Sequence, residues 1–244
     1  MNAFQKNLFD NNVLKLLGRI DANVSKSARP ILNNIIQGDC LEVLKTTPVS
    51  SVDIVFADPP YNVKKDYGVY QDDLSEDEYK KWMKNIIKES RRIAKSGILF
   101  YVGSKLTKLF YELIPDAHLI IVHKRAVGVI QNNYFLQYHS LFSTVKPIKK
   151  TKDLWDDIRL PGEGYFFREE RFDTPGLTSQ ALIYKIVDSF TKPNDIILDP
   201  FIGTGATAVV AKNTGRNFIG IELNPKYIEL ANKRVASTCK PLFI

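Results

Sequence analysis

Short apolar runs alternate with amphipathic stretches along most of the chain. The runs are brief, continuous and bounded by turn residues, as buried strands of a parallel sheet are, and they lie near 35 and at 52–57, 98–102 and 119–124. Helical spacing of apolar positions occurs between them, at 41–45, 75–93 and 104–113. Ser75 and Glu78 form a capping-box pattern at the start of the longest of these segments. The alternation predicts an α/β fold with a mostly parallel sheet.

The apolar run at 52–57 leads directly into Asp58-Pro59-Pro60-Tyr61. The prolines stop the strand, so an acidic side chain, a main-chain carbonyl and an aromatic ring are fixed at its carboxyl end, where open α/β sheets bind ligands. This set suits a flat base that bears an amino group. Asp58 and the Pro59 carbonyl can each accept one amino hydrogen, and Tyr61 can stack on the ring. A strand-ending turn without a catalytic role is the competing interpretation.

A second motif lies near the other end of the chain. A strand near 195–198 runs into Asp199-Pro200-Phe201-Ile202-Gly203-Thr204-Gly205, then a helix to about 213 and a strand at 217–222. In nucleotide-type folds such glycines let the backbone approach a ligand, and an acidic residue about 20 positions on binds the ribose hydroxyls. Glu222 stands at that distance from Gly203. The pattern lacks the longer Gly-x-Gly-x-x-Gly and the Walker ending, which favours a nucleoside without a pyrophosphate, such as S-adenosylmethionine.

Together the two motifs resemble those of DNA amino-methyltransferases of the permuted β type, S-adenosylmethionine-dependent enzymes in which the catalytic motif precedes the cofactor motif. The resemblance runs from about Ile35 to Arg234. It implies a Rossmann-like methyltransferase fold: a mostly parallel twisted sheet with helices on both faces and an antiparallel edge strand. That edge is expected from 135–142 together with 119–122.

The resemblance also implies which residues hold the cofactor. Its methionine part is expected in the glycine turn and its ribose on Glu222; the turn residues concerned are Asp199, Phe201, Gly203 and Gly205. A Gly38-Asp39-Cys40 turn matches the Gly-Asp pair that precedes the catalytic strand in the family, whose acid contacts the adenine. Asp39 and Cys40 are therefore predicted at the cofactor, with a plain exposed turn as the alternative.

One segment departs from the family pattern. Thr174-Pro175-Gly176-Leu177-Thr178-Ser179 stands where many members have His-Pro-Thr-Gln-Lys-Pro, and only the proline is kept. Pro175 and Thr178 are expected beside the cofactor's carboxylate, since a hydroxyl or a helix-start N–H can replace the usual contact. The departure bears on cofactor affinity more than on the reaction.

Chain length bounds the domain organisation. With 244 residues, 44% of them hydrophobic, the chain can build one sizeable core but no separate large recognition domain. We expect an N-terminal arm or capping helix over 1–34 and a single catalytic domain over 35–244. A small target-recognition insertion is expected within that domain at about 124–172.

Charge points to the partner. The net charge of +7 favours a polyanion, and the insertion interleaves basic and aromatic side chains, a mixture suited to phosphates, base edges and a displaced base. An ordinary surface loop is the alternative. The residues singled out for DNA contacts are Lys124, Arg125, Lys149, Lys150 and Arg168.

Other classes of site are disfavoured. The two cysteines, Cys40 and Cys239, are far apart and without metal-ligand spacing, and the three histidines are scattered, so we expect no metal and a reducing cytoplasm. Neither cysteine follows a proline, which argues against a carbon-5 cytosine methyltransferase. No long apolar span or signal-like start is present, so no membrane association is expected.

The expected reaction is methyl transfer to the 6-amino group of adenine in double-stranded DNA, on a base flipped out of the duplex. In the family, Asp at the first catalytic position leans towards adenine and Ser towards the 4-amino group of cytosine. Cytosine-N4 transfer, an RNA base methyltransferase and an inert cofactor-dependent DNA-binding protein stay as alternatives. Motif order argues against most RNA enzymes, and intact Asp58 and Tyr61 argue against an inert binder. A homodimer and a cognate restriction endonuclease are left open as partners.

Overall fold

The computed structural model describes residues 31–66, 68–70, 72–123, 130–131, 134–135, 137–158 and 178–238. The strands are β1 (Asn34–Gln37), β2 (Val52–Ala57), β3 (Ala94–Gly103), β4 (His118–His123), β5 (Ile130–Gln131), β6 (Tyr134–Phe135), β7 (Tyr138–Ser143), β8 (Leu154–Trp155), β9 (Ile196–Asp199) and β10 (Asn217–Glu222). The α-helices are α1 (Cys40–Thr46), α2 (Glu76–Ile93), α3 (Thr107–Leu113), α4 (Gln180–Phe190), α5 (Ala206–Asn213) and α6 (Pro225–Ser237).

Eight strands form one sheet in the order β1-β10-β9-β2-β3-β7-β4-β8, and β5 and β6 pair separately. Within the eight-stranded sheet every neighbouring pair is parallel except those that involve β7. The predicted α/β class with a mostly parallel sheet is therefore confirmed. The expected antiparallel strand starts at Tyr138, and it lies inside the sheet instead of at its edge because β4 and the short β8 extend the sheet beyond it.

The two motif strands are direct neighbours. Ile54 of β2 lies opposite Ile197 of β9, and Val55 lies opposite Leu198. The chain builds the sheet outward from this pair in both directions, through β3 on one side and β10 on the other. The junction of β2 and β9 is therefore a topological switch point, the place where open α/β sheets bind ligands beyond their carboxyl ends.

Alternate strand residues face two hydrophobic cores, one on each side of the sheet. Ile54 and Phe56 belong to the core shared with α4 and α5, whereas Val55 and Ala57 belong to the core shared with α1, α2 and α3. This explains why the predicted run at 52–57 is apolar at every position except Asp53: β2 is covered by helices on both faces.

Helix α2 supports the turn that follows β2. Its capping box is present, with the Ser75 side chain accepting from the Glu78 N–H and the Glu78 carboxylate accepting from the Ser75 N–H. Tyr79 in its first turns is fully buried, and its hydroxyl donates to the Pro60 carbonyl at 2.7 Å. The helix thus holds the turn that follows β2.

No helix in the described part of the chain is both long enough and apolar enough to cross a membrane. The predicted N-terminal arm falls outside the described residues except for 31–34, and the insertion is described only in part.

Candidate active site

Asp58 follows the last residue of β2, and both oxygens of its carboxylate accept hydrogen bonds. The Tyr61 hydroxyl donates to Oδ1 at 2.7 Å, and the Thr178 hydroxyl donates to Oδ2. The side chain is half-buried. Asp58 is therefore held at a fixed place on the carboxyl edge of the sheet, beside β9.

The two prolines of the motif present their carbonyls differently. Tyr79 takes up the carbonyl of Pro60. Among the described residues, none donates a hydrogen bond to the carbonyl of Pro59, which lies next to Asp58. A carboxylate and a main-chain carbonyl on consecutive residues can together accept both hydrogens of one amino group.

The ring of Tyr61 rests against the ends of β3 and β7. A Cβ atom on Gly103 would come within 3.2 Å of the ring, and the His139 ring meets it edge-on at 5.7 Å between centroids. Gly103 and His139 are paired across β3 and β7. His139 also packs against Tyr101, whose pKa is raised by burial and by the charge of Asp58. The contacts of Tyr61 with Gly103 and His139 could not be predicted from the sequence, because they depend on the register of strands that are distant in sequence.

Asp199 ends β9 and is almost fully buried. Its carboxylate accepts from the Phe201 N–H at 2.9 Å and from the Thr207 hydroxyl at 2.6 Å. Burial, helped by the charges of Asp58 and Glu222, raises its pKa to about 7 against the lowering effect of these two hydrogen bonds. Asp199 thus organises the glycine turn from within.

The two glycines of the turn have different roles. Gly205 has φ +85°, and a Cβ there would lie 2.7 Å from the Cβ of Ala231, so this glycine permits α5 and α6 to pack closely. Gly203 has φ +52°, and a Cβ there would meet nothing nearer than the Phe201 carbonyl oxygen at 3.9 Å. Gly203 therefore leaves room at the edge, as a backbone that approaches a ligand does.

Glu222 ends β10 and joins the turn to this edge. Its carboxylate accepts from the Gly203 N–H at 3.0 Å and from the Asn224 N–H at 2.8 Å. Burial raises its pKa against these hydrogen bonds. The side chain is therefore fixed beside Gly203, within reach of a ribose bound at the glycine turn.

The Gly38-Asp39-Cys40 turn reaches the same edge through β1. The Gly38 N–H donates to the main-chain carbonyl of Glu222 at 3.0 Å. Asp39 is the N-cap of α1, with its carboxylate accepting from the Glu42 N–H at 3.0 Å. Cys40 is buried, and burial first and the charge of Asp39 second raise the pKa of its thiol. The cofactor roles of Asp39 and Cys40 remain predictions.

The described residues after the catalytic motif, 62–66, 68–70 and 72–74, form a loop at this edge that Asp72 ties to the motif. This buried carboxylate accepts from the N–H groups of Asn62 and Val63, directly after the catalytic motif, at 2.8 and 2.9 Å. Farther along the loop, a Cβ on Gly68 would lie 3.6 Å from the side chain of Asn224. The loop therefore spans from Tyr61 to the start of α6.

Aromatic rings connect this loop to the glycine turn. Tyr70 stacks on Trp82 of α2 at 5.8 Å between centroids, and Trp82 meets Phe201 edge-on at 5.8 Å. Asp72 and Trp82 were not identified from the sequence as site residues. Helical spacing assigns Trp82 only to a buried face, and no local signal predicts the contacts of Asp72.

Two of the predicted DNA contacts lie away from this edge. In β7, His139 lies opposite Gly103 at the end of β3, and the last residue, Ser143, lies opposite Leu99, so the chain leaves the sheet at its amino edge. Lys149 pairs there with Asp188 near the end of α4, and Lys150 follows it. The structure thus does not bring these lysines to the site. Lys124, Arg125, Arg168 and Pro175 lie outside the described residues.

Asp199 should make stability depend on pH. Its folded pKa of about 7 lies above its ordinary value of 3.8, so between these values the unfolded chain releases a proton that the folded protein keeps. The free energy of unfolding should therefore fall by up to about 1.4 kcal/mol per pH unit as pH rises through this window. Asp199→Asn should lack this fall. Denaturant unfolding of both proteins from pH 4.5 to 7.5 tests it, and a pH-independent difference between them would contradict the assignment.

Comparisons with known proteins agree on one family. A family model described as DNA methylase, of the N6/N4 type, matches residues 52–136 and 137–233. The type II methyltransferase M.HinfI of Haemophilus influenzae is 30% identical, over 87% of this chain and 70% of that protein. The DNA adenine methyltransferase YhdJ of Escherichia coli strain K12 is 29% identical, over 82% of each.

Solved structures share the fold. TTHA0409 of Thermus thermophilus, solved in complex with S-adenosyl-L-methionine, superposes with a TM-score of 0.59 at 23% identity, covering 86% of this chain and 95% of that one. The cytosine-N4-specific PvuII DNA methyltransferase gives a TM-score of 0.62 at 15% identity, over 82% and 85%. The predicted Rossmann-like methyltransferase fold is confirmed.

Proposed function

We propose that this chain transfers the methyl group of S-adenosylmethionine to the 6-amino group of adenine. The chain belongs to the S-adenosylmethionine-dependent DNA methylases of the adenine-N6 and cytosine-N4 type. The observation that most supports methyl transfer to an amino group is the adjacency of β2 and β9. It places Asp58 and the Pro59 carbonyl, two acceptors for one amino group, beside the glycine turn on a single edge of the sheet.

The residues at this edge fit the cofactor. Asp199 and Glu222 are carboxyl groups close enough to influence one another electrostatically, which suits a cationic ligand. Gly203 leaves space at the turn. In our proposal the glycine turn holds the methionine part, Glu222 the ribose hydroxyls, and Asp39 with Cys40 the adenine end. The cofactor supplies a methyl group on a sulfonium sulfur that needs no further activation.

The protein's own residues then have to position and activate the amine. An exocyclic amino nitrogen is a weak nucleophile because its lone pair is delocalised into the ring. Asp58 and the Pro59 carbonyl each accept one of its hydrogens, which favours a pyramidal nitrogen with a directed lone pair. As the nitrogen gains positive charge, the Asp58 carboxylate stabilises it and accepts its surplus proton. Positioning and electrostatics thus provide the rate enhancement.

The base has to leave the duplex to reach this edge. Chemistry on a base requires it to flip out of the stack, and a flipped base stacks on aromatic side chains. We propose Tyr61 as that stacking surface. The proposed substrate is therefore double-stranded DNA, and the type II relatives support a cognate restriction endonuclease as a partner.

Adenine is favoured over cytosine by the catalytic residue. In the family resemblance Asp at the position of Asp58 leans to adenine, and YhdJ is named as an adenine methyltransferase. Cytosine-N4 transfer is the second candidate, because a cytosine-N4-specific enzyme shares the fold. Incubating the purified protein with DNA and methyl-labelled cofactor, then digesting to nucleosides for mass spectrometry, separates the two. We expect N6-methyladenine; label in N4-methylcytosine alone would contradict the proposal.

Glu222→Ala should weaken cofactor binding by roughly 1.5–3 kcal/mol, the scale of hydrogen bonds to a charged group. Part of this loss arises because the Gly203 N–H loses its acceptor. Glu222→Gln keeps one acceptor oxygen and should lose less. Calorimetry with the cofactor measures both variants, and DNA binding without cofactor, measured in parallel, should stay unchanged. Unaltered cofactor affinity in the alanine variant would end the ribose assignment.

We further propose one catalytic domain over 35–244, preceded by an arm over 1–34, with target recognition in the insertion at about 124–172. The part of the insertion next to the site should matter most. His123 ends β4 on the carboxyl edge, and Lys124 and Arg125 follow it in sequence. Lys149 and Lys150 lie towards the amino edge.

Neutralising Lys124 and Arg125 together should weaken DNA binding on all sequences. It should also reduce the salt slope by nearly one log unit for each phosphate that the protein no longer neutralises. The matched double variant Lys149→Ala/Lys150→Ala should change neither quantity much. Fluorescence anisotropy between low and moderate salt measures both. The opposite ranking of the two variants would place DNA at the amino edge.

A further inference from the structure

We infer that Thr178 is a positioning residue for the methyl transfer: its hydroxyl holds the Asp58 carboxylate in the orientation that grips the target amino group. This inference rests on the proposed function. The contact that supports it is the hydrogen bond from the Thr178 hydroxyl to Asp58 Oδ2, opposite the Tyr61 hydroxyl on Oδ1 at 2.7 Å.

Asp58 needs such an anchor. Pro59 restricts the backbone beside it, but the carboxylate of an aspartate can still rotate about its side-chain bonds. One hydrogen bond, from Tyr61, would fix one oxygen and leave the plane of the carboxylate undetermined. A second donor on the other oxygen fixes that plane. An ionised carboxylate has about four acceptor sites, so each of its oxygens can accept from an anchor and from an amino hydrogen.

Thr178 lies at the start of a packed helix. It directly precedes Ser179, the N-cap residue of α4. The buried face of α4, which includes Leu182 and Ile186, packs into the core on one side of the sheet. The Thr178 hydroxyl therefore reaches the residue after β2 from the start of a helix that is packed into the core.

This role differs from the one expected from the sequence. That expectation placed Thr178 beside the cofactor's carboxylate, where its loss would weaken cofactor binding. If Thr178 acts through Asp58, loss of its hydroxyl should lower the rate of the chemical step and leave cofactor affinity almost unchanged. The two roles thus give opposite patterns in kcat and in the cofactor dissociation constant.

Thr207 offers a matched comparison. Its hydroxyl donates to Asp199 at 2.6 Å, so it repeats the threonine–aspartate pair at the end of the neighbouring strand. Asp199 is buried in the glycine turn and also accepts from the Phe201 N–H. Thr207→Val should therefore lower the unfolding temperature and the cofactor affinity, whereas Thr178→Val should lower the rate.

The experiment measures single-turnover methyl transfer at saturating DNA and cofactor, cofactor affinity by calorimetry, and thermal unfolding. Thr178→Val should slow transfer about 10- to 100-fold, the effect of one hydrogen bond to a charged group. Cofactor affinity should change less than about twofold. Thr178→Ser keeps the hydroxyl and should recover most of the rate. Thr46 is exposed at the end of α1, and Thr46→Val is the control for a threonine-to-valine substitution away from the site.

A double-mutant cycle tests whether Thr178 acts through Asp58. In an Asp58→Asn background, Thr178→Val should slow transfer little further, because the group it positions is already altered. Additive losses would overturn the inference. So would a valine variant that loses cofactor affinity at an unchanged rate, or one that matches wild type in both. If valine lowers the unfolding temperature strongly, Thr178→Ala against Thr178→Ser decides the same question, and equal rates in those two would also overturn it.

Failure of this inference is distinguishable from failure of the proposed function. Full activity in Asp58→Ala would contradict the catalytic assignment itself. Lost activity in Asp58→Ala together with an unaltered Thr178→Val would contradict only the role of Thr178.

Discussion

Replacing Asp58 with alanine should slow methyl transfer by roughly 10²- to 10³-fold or more, the scale seen when one pre-positioned polar group is removed from an active site. The reason is that the target amine loses the acceptor that orients its lone pair and stabilises its developing charge. Cofactor affinity should change less than about twofold, because in this account Asp58 contacts the amine. Asp58→Asn keeps one acceptor oxygen and should fall between alanine and wild type.

The measurement pairs single-turnover kinetics with calorimetry of cofactor binding. Asp116→Ala is a suitable control, because Asp116 is an exposed carboxylate whose partner is Arg91, remote in sequence from both motifs. It should behave as wild type in both assays. A wild-type rate in Asp58→Ala, or loss of cofactor binding in proportion to activity, would remove Asp58 from the catalytic role.

Gly220→Ala should destabilise the protein by about 1–3 kcal/mol, the usual result of overpacking a core. A Cβ on Gly220 would lie 2.3 Å from Cδ1 and 2.9 Å from Cγ2 of Ile202, which is buried inside the glycine turn. Displacing Ile202 should also shift Gly203, so cofactor affinity should fall with stability. The absence of a side chain at Gly220 of β10 therefore leaves the space that Ile202 of the glycine turn occupies.

Chemical denaturation tests this through a double-mutant cycle. In an Ile202→Ala background the same glycine substitution should cost much less, since the atoms it would strike are gone. Gly215→Ala serves as the comparison: a Cβ there meets nothing within 4 Å, so its effect reflects only the φ of +70°. Equal losses for Gly220→Ala in the two backgrounds would contradict the packing argument.

Local features of the fold could be predicted from the sequence. The boundaries of β2 and the capping box of α2 follow from apolar runs, prolines and cap residues, which act over a few neighbouring positions. The resemblance of the two motifs to those of a known family further predicts that they form one site. Their strands are direct neighbours in the sheet, as that required.

Contacts between distant segments could not be predicted in this way. Thr178 and Asp58 are 120 positions apart, and nothing local indicates that α4 begins beside the end of β2. The sequence predicts Gly205 as a cofactor-binding glycine, and nothing local indicates that its missing side chain also makes room for Ala231 of α6. Likewise, composition predicts that Lys149 and Lys150 contact DNA, whereas their position follows from the direction of β7, which depends on strand pairing.

Base-resolved sequencing of DNA from cells that express the protein or its Asp58→Ala variant tests adenine methylation by this site. We expect N6-methyladenine at a defined sequence context with the wild-type protein and its loss with the variant. Methylation confined to cytosine, or adenine methylation that persists in the variant, would contradict this proposal.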